Sequence, residues 1–150
     1  MALHPQLDEI LDAVLPIVQQ FQRQSMYAPH AATIDCEGML AGHALTSDGS
    51  NQLSVKEALA HFETSFRELA QAGKISASAI FYHSTGIDPS SGNLALPPAN
   101  TLDECRILVG LLEHVSGESV YIVLPYTGHA ESIAYATGRL IKKPPKVFVV

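Results

Sequence analysis

A chain of 150 residues, 47% hydrophobic and only 16% charged, has enough apolar material for one packed domain without metal or disulfide staples. Its net charge of -6 argues against nucleic acid or an anionic membrane as the main partner. The charged fraction lies well under the roughly 25% usual in globular domains, which points to a surface partly covered by another protein or a second copy.

The opening residues MALHPQLDEI meet acid early and have no basic segment, so no secretory signal is expected. No apolar run approaches the ~20 residues of a membrane span. Two cysteines, Cys36 and Cys105, do not make a disulfide framework, and a cytoplasmic location follows as the expectation.

Leu7, Ile10, Leu11, Val14, Leu15, Val18 and Phe21 recur at three- and four-residue spacing and predict a first helix. Pro16 inside it removes a hydrogen bond to the carbonyl of Asp12, which predicts a kink or two stacked pieces. A hairpin over Ala31 to Thr46 follows. With a turn at Glu37-Gly38, Cys36 would face Met39 and Ile34 would face Ala41. Ser54 and Glu57 form a capping box for a second helix, whose buried stripe is Leu59, Phe62, Phe66 and Leu69 and whose terminal cap is Gly73.

A strand from Ser76 to Ser84 leads into a long Pro-, Gly- and Ser-rich connection over 85–102, expected to be mobile or to serve as a ligand or partner loop. The stretch DECRILVGLLEHVSGESVYIVLPY, Asp103 to Tyr126, then sets two apolar runs either side of Ser116-Gly117. Near-continuous apolar runs mark strands buried on both faces, and a short Ser-Gly break favours a tight hairpin at the centre of a sheet. Beyond weak patterning from Gly128 to Gly138 the chain becomes a basic tail over 139–150, with Arg139, Lys142, Lys143 and Lys146 and no acid. Such a tail is expected to lie on its own acidic body. Its final VFVV reads as an edge strand or an arm that pairs with another chain.

The whole is expected to be a single α+β domain over 1–150, in the order α-β-β-α-β-β-β. An antiparallel sheet of about five strands would carry two helices on one face. Profilin-like and roadblock-like arrangements share that order and support a shape only.

Chemistry is sparse. If the strand ending near Ser84 runs antiparallel to the one beginning near Asp103, His83 and His114 lie at opposite ends, about 20 Å apart or more at ~3.4 Å per residue. Glu113 and His114 point to opposite faces of a strand and cannot share an ion. No metal site and no cofactor are expected. Cys36 and Cys105 each have acidic neighbours, which suppress the thiolate, and read as small buried hydrophobes. The chain has no GxSxG, GxxxxGK[ST] or GxGxxG motif. The acidic pairs Asp103 with Glu104, and Glu113 with Glu118, read as strand ends facing water.

YAPHAATIDCEGML, SASAIFYH and ILVGLLEHVSGESVYIVLPY resemble segments of a group of small bacterial α+β proteins. The matching residues are Ala32 to Gly38, Ala79 to Tyr82, Glu113-His114 with Gly117, and Pro125-Tyr126. The resemblance implies a fold and carries over no catalytic residue.

The leading expectation is therefore a non-catalytic protein that acts by self-association, as a homodimer, or by binding another protein in an accessory or immunity-like role. The competing expectation is a hydrolase or small-ligand enzyme with its site under loop 85–102, using His83 as base with Asp88 or Ser91 assisting.

Overall fold

The computed structural model describes residues 3–24, 29–44, 55–84, 86–87, 94–95, 106–127, 133–135 and 138–149. Two helices, α1 (Pro5–Arg23) and α2 (Val55–Gln71), accompany strands β1 (His30–Asp35), β2 (Leu40–Ala44) and β3 (Ile75–Ser84). A small pair, β4 (Gly86–Ile87) and β5 (Leu94–Ala95), lies within the long connection. The remaining strands are β6 (Arg106–His114), β7 (Ser119–Thr127), β8 (Ala134–Tyr135) and β9 (Arg139–Lys142). The main sheet runs β2-β1-β3-β6-β7, and β7 then pairs with both β8 and β9. All these pairings are antiparallel, so the α+β class and the predicted element order hold.

β6 sits at the centre with β3 and β7 beside it, as its unbroken apolar run requires. That run also corrects the expected placing of the helices. Along β6, Leu108 and Leu112 join one apolar cluster with Leu7, Ile10 and Val18 of α1. Val109 and Leu111 join another with Phe62 and Phe66 of α2. Alternate residues point to opposite faces, so α1 and α2 lie on opposite sides of the sheet. A sheet apolar on both faces needs a cover on each. Burying Leu7 and Ile10 completely contributes about 1.5–3 kcal/mol apiece.

Local chemistry accounts for the element ends. A single helix runs through Pro16, which stands on the exposed side, where water can serve the freed carbonyl. α2 closes in a Schellman motif: Gly73 has φ +70°, its amide donates to the Ala70 carbonyl, and the Lys74 amide donates to Leu69. Its expected capping residue Ser54 lies outside the described residues.

Both hairpins use one three-residue loop ending in a left-handed glycine. In the first, Asp35 pairs with Met39 around Gly38, and in the second His114 pairs with Glu118 around Gly117. The first hairpin is therefore one residue out of the expected register: Ile34 faces Leu40 rather than Ala41. The Asp35 carboxylate fixes the longer loop by accepting from the amides of Glu37 and Met39, both at 2.9 Å. This register packs Leu40 against the same cluster as Ile34.

The weakly patterned stretch supplies β8 and the basic tail supplies β9, while residues 147–149 of the final VFVV form no strand. Pro144 and Pro145 lack the amides a ladder needs, and the chain leaves the sheet there. Among the described residues, no helix is long and apolar enough to cross a membrane.

Candidate functional site

Glu113 and His114 end β6, point to opposite faces, and each organise a cluster of polar groups. Glu113 is 3% exposed, not a solvent-facing strand end as expected. Its partner across the hairpin is Ser119 rather than Glu118. The Glu113 carboxylate accepts from the Lys143 Nζ at 2.7 Å, and the Lys143 side chain is itself 2% exposed. It also accepts from three successive backbone amides: Lys146 at 3.0 Å, Val147 at 2.9 Å and Phe148 at 3.2 Å. Consecutive amides converging on one anion form a nest.

These bonds strap residues 143–149 across the α2 side of the sheet. The Arg67 Nε of α2 donates to the Lys146 carbonyl at 2.9 Å, and Val147 enters the core at 1% exposure. The basic segment thus lies on its own body, through one buried carboxylate.

Around this strap the titrations follow from burial. Desolvation raises the Glu63 carboxyl above its ordinary range, against the pull of Lys143 and Lys146. Burial also raises the Tyr82 and Tyr121 phenols, and the Glu63 charge adds to it. Both tyrosines are therefore held protonated. They can donate hydrogen bonds but not attack as phenolates.

On the opposite face, His114 acts as a turn residue. Its Nδ1 accepts from the Ser116 amide at 3.0 Å, as Asp35 does in the other hairpin, which leaves the hydrogen on Nε2. Nε2 then donates to Gln6 Oε1 at 2.8 Å, and the Ser76 hydroxyl donates to the same oxygen at 2.9 Å. The His4 ring stacks on His114 with centroids 3.5 Å apart. His4 also caps α1, its Nδ1 accepting from the Gln6 amide at 3.1 Å, while its own amide donates to Glu118. Burial, and then His4, lower the His114 pKa against the opposing pull of Glu118. Both ring nitrogens of His114 are committed, Nδ1 to the hairpin turn and Nε2 to Gln6 of α1.

Thr33 and His43 bring a hydroxyl within 2.9 Å of an imidazole, the residue types of a nucleophile and base. Thr33 is 4% exposed and the His43 ring packs edge-on against Phe66, so the hydroxyl has no approach for a substrate.

The sequence candidates fall elsewhere. His83 pairs with Leu108 near the start of β6, whereas His114 pairs with Ala77, six residues back along β3. The register keeps the two histidines at opposite ends of the sheet. Asp88 and Ser91 lie outside the described residues, as do Asp103, Glu104 and Cys105. Cys36 is an exposed free thiol, not the buried one expected. Gln6, Ser76 and Lys143 were missed because their roles depend on contacts 30 to 108 residues distant in the chain. The only local signal was Glu-His closing an apolar run.

One further feature is the sheet edge. Among the described residues β2 pairs with β1 alone, while at the opposite end β7 is covered by β8 and β9. β2 reads LAGHA, with Ala41 and Gly42 exposed and Met39 beside them 65% exposed. Natural edges are usually blunted by charge, proline or a bulge; this strand contains neither charge nor proline. No known family, curated protein or solved structure matches the chain.

Proposed function

We propose that the protein works by self-association and not by catalysis, with β2 of one copy pairing antiparallel to β2 of another. The observation that carries this reading is the bare edge of Leu40–Ala44, whose outward amides and carbonyls meet no strand among the described residues. The polar groups with chemical potential support it, since Glu113 and His114 are spent on anchoring segments of their own chain. The low charged fraction of 16% fits a surface that is partly covered. The exposed Cys36 thiol fits a reducing compartment, and the cytoplasm is the location proposed.

Light scattering on the purified chain should give a mass above the 16.1 kDa of one copy. Ala41→Lys places a charge on the pairing edge and should return the protein to one copy with unchanged circular dichroism. A wild-type chain that stays monomeric at high concentration overturns the reading.

A further inference from the structure

We infer that residues 146–149 form an exchangeable strap, and that the groove around Glu113 accepts the same segment from a second copy. This is a separate contact surface from the β2 edge. The strap behaves like a bound peptide. Its amides cap one carboxylate, its Lys146 carbonyl takes the Arg67 Nε, and Val147 fills an apolar site beside α2. None of these contacts depends on which chain supplies the segment, so exchange preserves them all and changes only the hinge.

That hinge is Pro144-Pro145, exposed on both residues. Lys143 stays with the body, because its amide extends the β9–β7 ladder to the Ser119 carbonyl and its Nζ bonds Glu113. A proline following Lys143, and another following Pro144, hold both residues extended and resist a tight return. A two-proline hinge of this kind can carry the strap away from its own body to a second copy. The self-contained form wins at low concentration only because a short linker supplies the strap at an effective concentration in the millimolar range.

The test uses two full-length variants, both carrying Ala41→Lys so that β2 pairing is silent. In the first, Glu113→Leu with Lys143→Met removes the anchor without leaving an orphaned buried charge; its strap is intact and its groove is lost. In the second, Val147→Asp spoils the strap and leaves the groove intact. Each alone should have the mass of one chain, and an equimolar mixture should yield a species of twice 16.1 kDa. A mixture of folded variants that remains two monomers overturns the inference.

Should either variant not fold, the Ala41→Lys chain itself is concentrated into the millimolar range. It should form a dimer in which the amides of 146–148 keep their protection from hydrogen exchange. A chain that stays monomeric there, or a dimer that loses that protection, also overturns the inference. Failure of the β2 reading alone would leave the mixing result unchanged.

Discussion

Gly110 shows how closely the centre of the sheet is packed. A Cβ there would stand 2.7 Å from Ile122 Cγ2 and 2.9 Å from Phe81 Cε1, the side chains of its partners on both neighbouring strands. Gly110→Ala should therefore cost about 1–3 kcal/mol through overpacking, read as a lower urea midpoint at constant slope. Glu113 is the opposite case, a group that stabilises by being satisfied. Glu113→Ala leaves Lys143 charged and buried and should cost about 3–5 kcal/mol. Replacing both partners by Leu and Met should cost distinctly less, because no orphaned charge remains. Equal losses in the single and double variants, measured by denaturation, would show that the ion pair is not what holds the strap.

At the level of elements, the join between α1 and the β6–β7 hairpin should respond to pH. Burial lowers the His114 pKa, with His4 adding to that and Glu118 opposing it, and burial lowers that of His43 as well. Gln6, Ser76 and the Ser116 amide complete the groups that face His114. A histidine with a lowered folded pKa binds its proton more readily in the unfolded chain. Stability is then fully present above the unfolded value of about 6.5 and falls as the pH drops below it toward the folded values. His114→Gln should flatten the loss measured between pH 7.5 and 5. An unchanged slope would assign that loss to other groups.

The elements themselves were largely legible, because apolar spacing and capping are local signals. α1, α2, the β6–β7 hairpin and its antiparallel neighbour β3 follow directly from periodicity. Features set by side-chain contacts were not. The loop around Gly38 is one residue longer because the Asp35 side chain, and not the Glu-Gly pair, sets it. The final VFVV has strand composition but follows two prolines and is captured by a carboxylate 34 residues earlier. The anchoring role of Glu113 needs Lys143, which no local pattern connects to it.

On the scale of the whole molecule, two layers of helix protect a sheet whose ends are treated differently. β8 and β9 cover one edge, and at the other no described strand pairs with the outer side of β2. The proposed pairing through β2 would join uncharged strands while bringing together two bodies of net charge -6. The long-range term would therefore be repulsive, and strands reading LAGHA would bring no ion pair to the contact. Salt shortens the Debye length from about 30 Å at 0.01 M to about 8 Å at 0.15 M. Raising ionic strength over that range should tighten the dimer, seen as a lower dissociation constant by sedimentation or light scattering. Weakening by salt would instead indicate attraction between the basic segment around Lys142 and Lys146 of one copy and the acidic body of another. The bare edge would then not be what holds two copies together.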